Sequence, residues 1–344
     1  MVTIHDIARQ AGVSIGTVDR VLHERGRVSA GTRKKVLEIV ERTGYQPNHV
    51  AQGLAANKKK LKLCFVVPDS AESPFFTDIK KAAQAKAAQL GGQYGVSVRF
   101  CYLRGTAQTE AALEEELRPL AEADGIAAAG LAVPALRRRL AEAARRGVPI
   151  VFFNCSLPDI AHLAFVGCDY VESGRLAAGL AALCGTEAAR VCAFSRGLSG
   201  VESYDLRMEG FRQELRERYP AMRLVGEREI SSLPRENARA VAQMLRETPD
   251  VNVAYIVNPM AYEICEAIAA ADPQRRIRII TNDLVGGQID MVRRGVISAT
   301  ICQEPEKQGA RPLDILFKYL AYGTKPEQVN CYTGLSIHIA QNTG

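Results

Sequence analysis

The chain has 344 residues, 47% hydrophobic and 24% charged, too long for one compact core and ordinary in composition for a folded protein of two or three domains. Its net charge of +6 is unevenly placed: residues 1–60 hold eleven Lys and Arg against five Asp and Glu, and the remainder holds 33 of each sign, so a polyanion partner is expected for the head alone. Nine cysteines without a C-x-x-C pair exclude a Cys-pair zinc cluster and a thioredoxin-like motif, and no apolar run is long enough to span a bilayer.

In chain order, Ile4, Ile7, Ala8 and Ala11 recur at helical spacing, and Gly12 breaks the run because it resists no left-handed turn. Ser14 can cap a second helix with Val18, Val21 and Leu22 on its apolar face. A third helix runs from Ser29, with Val36, Leu37 and Val40 inside, and ends at Gly44. Tyr45 to Asn48 is a turn, His49 to Ala56 a short stretch, and Lys58 to Lys60 closes the head. Two helices around a tight turn are a helix-turn-helix, whose second helix fits the major groove of B-DNA. Ile15 and Gly16 hold its first exposed positions: Ile15 can pack on a thymine methyl, and Gly16 offers little to read. Arg20, one turn on, reaches either a guanine or a phosphate. Ser14, Thr17, His23, Arg25, Arg27 and Arg33 flank it, with Thr17 and the basic residues as phosphate-side positions.

From Leu61 the pattern changes. Strand-like runs at 62–67, 96–101, 125–131, 149–153, 163–167, 190–194, 223–226, 253–257 and 277–281 alternate with helical segments at 76–90, 109–122, 135–146, 172–184, 207–218, 235–247 and 261–270. Repeated β-α-β units imply parallel sheets covered on both faces, and this length implies two α/β lobes. Ligands of such sheets bind at the carboxyl ends of strands, so a cleft between the lobes is the expected site. Most cysteines lie in apolar runs, such as Leu63 to Val67 around Cys64, and are expected as small core residues in a reducing compartment. The chain opens on no apolar signal segment, so a cytoplasmic, nucleoid-associated location is expected.

Val2 to Ala8, Ala11 to Ser14, Thr17-Val18, Arg20 to Leu22, Thr32-Arg33, Val36-Leu37, Gly44-Tyr45 and Pro47-Asn48 together resemble the head of the lac-repressor family of bacterial regulators. The resemblance implies that Thr3 and Asn48 join the DNA contacts. It also implies that residues 47–60 form a hinge helix on the operator, and that Leu54 wedges into the minor groove, unstacking a step and bending the duplex. The chain departs from the family at Asp19, which stands where a small hydroxyl residue is usual, and at Gln52-Gly53; Gly53 costs helix propensity of roughly 1 kcal/mol relative to Ala. The body resembles the periplasmic sugar-binding fold (type I) of the ribose-binding kind. That likeness implies ligand contacts from Phe75 and Phe76 after Pro74, Asn154 after the fourth strand, and Asp169 ahead of Gly174-Arg175. It further implies contacts from Arg207 ahead of Gly210-Phe211, Asn258, Asp283 and Gln303. Cys155 replaces an arginine and Pro259 an aspartate of the family pattern, so the ligand can differ from ribose.

The expected organisation is an all-α helix-turn-helix head over 1–46, the hinge over 47–60 and a ligand-binding and dimerisation domain over 61–344. Its first lobe takes 61–167 and 304–330, its second 168–303 and 331–344. The expected function is a DNA-binding regulator, a repressor, controlled by a small sugar or polyol. It would act as a homodimer on a pseudo-palindromic double-stranded DNA operator, with no cofactor, metal or membrane partner. A transport binding protein would have no use for the head, and no Gly-rich phosphate loop, Ser-His-Asp order or metal-ligand spacing supports an enzyme.

Overall fold

The computed structural model describes residues 4–22, 28–43, 60–69, 75–105, 108–185, 188–195, 202–231, 233–258 and 262–343. The head is α1 (Ile4–Ala11), α2 (Ile15–Leu22) and α3 (Ala30–Thr43). Gly12 takes φ +68°, and the Val13 N–H returns to the Ala8 carbonyl at 3.1 Å, which turns the chain sharply between α1 and α2. Ser14 caps α2, its Oγ accepting from the Thr17 N–H at 3.2 Å, and Ser29 does the same for α3 through the Thr32 N–H at 3.3 Å. Ile7, Ala8, Ala11, Val18, Val21, Val36 and Ile39 form one core. Leu37, expected inside, is 45% exposed. Val36, Ile39 and Val40, spaced three and four apart, define the buried face, and Leu37 lies off it. The expected cap at Gly44 and the hinge up to residue 59 lie outside the described residues.

Two six-stranded sheets build the body. The first holds β1 (Lys62–Pro68), β2 (Ser97–Leu103), β3 (Gly125–Ala129), β4 (Ile150–Phe153), β5 (Ala164–Gly167) and β11 (Asn330–Tyr332), all parallel, in the order β11-β5-β4-β3-β1-β2. The second holds β6 (Arg190–Ser195), β7 (Arg223–Glu229), β8 (Val253–Ile256), β9 (Arg278–Asn282), β10 (Ala299–Cys302) and β12 (Ser336–His338), in the order β12-β10-β9-β8-β6-β7, with β12 alone antiparallel. Helices α4 (Phe76–Tyr94), α5 (Glu110–Leu117), α6 (Pro134–Arg145) and α12 (Pro305–Tyr322) cover the first sheet. Helices α7 (Tyr170–Cys184), α8 (Glu202–Arg218), α9 (Pro234–Glu247), α10 (Tyr262–Ala271) and α11 (Gln288–Arg293) belong with the second. In β1, Leu63, Phe65 and Val67 enter one core and Cys64 and Val66 the opposite one, so the strand reads as a continuous apolar run.

The chain crosses between lobes three times, after β5, after β10 and after β11. β11 pairs with β5, so the expected return to the second lobe at residue 331 falls inside a first-lobe strand and belongs after Tyr332. All nine cysteines are free thiols, seven of them buried. Among the described residues no helix is long and apolar enough to cross a membrane.

Close approach of α7 and α8 fixes the second lobe's share of the cleft. A Cβ on Gly174 would lie 1.9 Å from the Arg207 carbonyl oxygen, and one on Gly210 would lie 2.0 Å from that of Val171. Both obstacles are backbone, so no side-chain rotation relieves them. Gly174→Ala is therefore expected to destabilise the fold by about 1–3 kcal/mol through forced helix separation, read as a lowered urea midpoint; an unchanged midpoint would show that the helices part freely.

Candidate functional site

Two sites emerge from the described residues. On the head, α2 presents Ile15, 40% exposed, with Gly16 and Arg20 also exposed. Arg20 Nε donates to the Gly16 carbonyl at 3.0 Å, which lays the guanidinium back toward the N-terminal end of α2, the end that meets base edges in a major groove. Ser14 and Thr17 share a hydroxyl contact of 2.9 Å at the same end. The structure thus brings Ser14, Ile15, Gly16, Thr17 and Arg20 together. Thr3, His23, Arg27, Asn48 and Leu54 lie outside the described residues.

The second site lies at the strand ends between the lobes. Asn154 follows β4, Asp283 follows β9, Gln303 follows β10, and Arg207 projects from α8. Asn154 and Asp283 take φ values of +60° and +62°, and Glu304, beside Gln303, takes +51°. Left-handed backbone at three non-glycine residues is costly and is held here by the surrounding contacts.

Those contacts close into a ring. Arg207 Nη2 stands 3.9 Å from Asp283 Oδ2. Gln303 Nε2 donates to both Asp283 oxygens, at 3.2 and 3.0 Å. Gln308 Nε2 donates to Gln303 Oε1 at 3.2 Å and to the Gln303 carbonyl at 2.9 Å, and Asn154 Nδ2 donates to Gln308 Oε1 at 3.5 Å. Asn154 Nδ2 also donates to Tyr170 Oη at 3.2 Å, and Tyr170 Oη donates to the Asn154 carbonyl at 2.6 Å. The Arg207 guanidinium lies 4.9 Å from the Tyr170 ring centre, which completes the circuit. Each of these six residues is at most 8% exposed. A cavity of about 440 Å³ adjoins the ring, lined by residues including Asn154, Cys155, Phe165, Asp169, Tyr170, Glu202 and Tyr332.

Burial governs the charges. It pushes the Asp283 carboxyl up to about 6, against the pull of Arg207 and the Gln303 amide. Burial opposes the charge on Arg207 too, but Cys168 and Asp283 beside it raise the guanidinium further. Burial lifts the Cys168 thiol to about 12 and so keeps it neutral, which leaves Asp283 as the counter-charge near neutral pH. Cys155 is likewise pushed up to about 12 by burial and donates as a thiol to Asn154 Oδ1 at 3.3 Å. The result is one cation, one carboxylate and several amides, an arrangement suited to a neutral ligand rich in hydroxyls.

A raised carboxyl carries a signed consequence. Its folded value lies above the ordinary 3.8, so the folded protein takes up a proton at Asp283 as pH falls through about 6, where an unfolded chain does not. This group's contribution to stability is fully present below pH 3.8 and is lost as pH rises through 6. Ligand held by the carboxylate follows the opposite sign: affinity is expected to fall below pH 6, approaching tenfold per unit in the limit. Titration calorimetry from pH 5 to 7.5 checks this, and Asp283→Asn is expected to flatten the profile; a slope that persists in that variant would place the titration elsewhere.

Other expected ligand residues are distributed less simply. Asn258 is buried and accepts from Tyr204 Oη at 3.2 Å, outside the ring. Asp169 caps α7, accepting from the Val171 and Glu172 N–H groups, and lines the cavity. Phe76 belongs to the first lobe's core and Phe75 packs against that core, their rings edge to face at 5.2 Å. Gln308 and Tyr170 escaped the sequence reading. Gln308 carries no local signal, and Tyr170 is the first residue of α7, directly after the cap at Asp169. Among the described residues no group of three or more His, Cys, Asp or Glu is placed to hold a metal.

Residues 64–325 match the model of the periplasmic binding protein domain, and residues 3–48 match that of bacterial regulatory proteins of the lacI family. The chain belongs to the periplasmic binding protein domain family and carries a lacI-family head. Catabolite control protein A of Priestia megaterium is 53% identical over 68 residues, 20% of each chain, and the curated relatives that head the comparison are matched over about a fifth of their length. A putative LacI transcriptional regulator from Bacteroides fragilis superposes with a TM-score of 0.71 at 22% identity, covering 82% of this chain and 98% of that one. The glucose-galactose binding protein GanP of Geobacillus stearothermophilus gives 0.70 at 22%, with the same coverage. At that identity these structures establish the fold of the family's two-lobed domain and nothing finer.

Proposed function

We propose that this chain is a sequence-specific DNA-binding transcription regulator, a repressor, whose operator affinity is set by a neutral sugar or polyol held between its lobes. The observation that carries the reading is one chain joining a lacI-family head, with α2 exposed at its reading end, to a cleft whose buried polar groups suit hydroxyls. One of the similar solved structures is named as a putative LacI transcriptional regulator and another as a glucose-galactose binding protein, which supports both halves. A homodimer places two heads on a pseudo-palindromic operator, and a DNA partner implies a cytoplasmic location. No catalytic role, cofactor or metal enters the reading. Effector shifts DNA binding only by preferring one arrangement of the lobes.

The test is a duplex selected from a random pool by the full-length protein. Specific binding is expected to weaken steeply with salt, because neutralising phosphates releases counterions. A pool that yields no enriched sequence would contradict the reading. In the hinge, Leu54→Ala is expected to lower affinity for the selected duplex roughly tenfold more than for random DNA, since a wedge acts only on a docked, deformable site. Equal losses on both duplexes in an anisotropy titration would reduce Leu54 to an ordinary linker residue.

A further inference from the structure

The ring around Arg207 contains a direct tie between the lobes. Asn154 ends β4 of the first lobe, and Tyr170 opens α7 of the second. The phenol donates to the Asn154 carbonyl at 2.6 Å and accepts from its side-chain amide at 3.2 Å, so one hydroxyl is used in both directions. Burial holds that phenol protonated, well above its ordinary range, and thus able to donate. The left-handed backbone of Asn154, φ +60°, sets its carbonyl and amide for this pairing. Nothing about Asn154 is left over: its N–H reaches the Val166 carbonyl at 3.0 Å, its Oδ1 accepts from Cys155 Sγ, and its Nδ2 also meets Gln308. Gln308, with no exposed surface, in turn clasps the Gln303 carbonyl and side chain where the chain leaves the second lobe.

We propose that Tyr170 is a positioning residue that clasps Asn154 across the cleft and holds the lobes together in the absence of any effector, with Gln308 bracing the same amide. The cleft is then closed by its own hydrogen bonds. An effector hydroxyl that engages Asn154 has to take over a bond that Tyr170 already makes, so the phenol sets which effectors compete successfully. This goes beyond the regulatory reading and stands apart from it, because closure without effector is measurable with neither DNA nor sugar present.

The experiment is pulsed electron-electron resonance on effector-free, full-length protein. Spin labels are carried on p-acetylphenylalanine introduced at positions 111 and 242, both exposed, one in α5 of the first lobe and one in α9 of the second. The encoded ketone avoids the nine native thiols, and dilution with unlabelled protein removes distances between copies. The parent protein is expected to give one short, narrow distance. Tyr170→Phe keeps the ring over Arg207 and removes only the hydroxyl, and it is expected to move population to longer distances, raising the open fraction roughly fivefold. A parent distribution that is already broad and long overturns the proposal, and so does a Tyr170→Phe distribution that matches the parent's. If that variant does not fold, Asn154→Gly is measured instead: glycine suits the left-handed backbone and keeps the carbonyl that accepts at 2.6 Å but loses the amide bonds to Tyr170 and Gln308, so a smaller shift to longer distances is expected, and a distribution matching the parent's overturns the proposal.

Discussion

Arg207→Ala is expected to lower effector affinity roughly a hundredfold and to destabilise the second lobe at the same time. The residue is 2% exposed and its guanidinium faces Asp283 at 3.9 Å, so its removal strands a buried carboxylate. Breaking such a pair costs about 3–5 kcal/mol when the remaining charge cannot escape. Here it can: Asp283 already sits near 6 with the arginine present, and without it the carboxyl protonates at neutral pH. The stability loss should therefore fall at or below the lower end of that range and shrink further toward pH 5. Arg207→Ala also removes the cation over Tyr170 and the donor to Ser173 Oγ at 3.4 Å. Thermal unfolding at pH 5 and 7.5, with calorimetry on a sugar or polyol found by thermal shift, separates the two effects. Full affinity in the variant would make Arg207 a structural group and move the effector site elsewhere.

The other large effect belongs to the head. Removing residues 1–60 takes away all the excess positive charge and the exposed face of α2, and is expected to cost more than a thousandfold in affinity for the selected duplex. Effector affinity should stay within about twofold, because the ring of polar groups lies wholly in the body, from Asn154 to Gln308. Anisotropy titration of the truncated protein measures the first and calorimetry the second. A truncated body that held the duplex as tightly as the full chain would place DNA recognition outside the head.

Much of this architecture is legible in the sequence because parallel strands covered on both faces read as apolar runs. β1, β4 and β8 stand out for that reason, whereas Asn154 after β4 and Asn258 after β8 are singled out by the likeness to the sugar-binding fold. The return path was harder. Helix α12 carries Pro312 in its interior, and a proline inside a helical pattern argues for an end to the helix. β11 and β12 are three residues each, too short to show a period, so the sequence alone does not mark the last crossing after Tyr332. In the cleft, Arg207, Asp283 and Gln303 were legible through the resemblance to the sugar-binding fold, and the structure brings them together, with Asp283 between the Arg207 guanidinium and the Gln303 amide. Gln308 and Tyr170 were not, since a glutamine in mid-helix and a tyrosine at a helix start gain meaning only from what lies across the cleft. Phe76, which the likeness to the sugar-binding fold implies as a ligand contact, is a member of the first lobe's core.

The most direct test of the central claim is the affinity of full-length protein for its selected duplex, measured at one salt concentration with and without saturating effector. Control of DNA binding from the cleft predicts a change in Kd of roughly 5- to 150-fold, in either direction, that disappears in Arg207→Ala. The same Kd with and without an effector that demonstrably occupies the cleft would contradict the account.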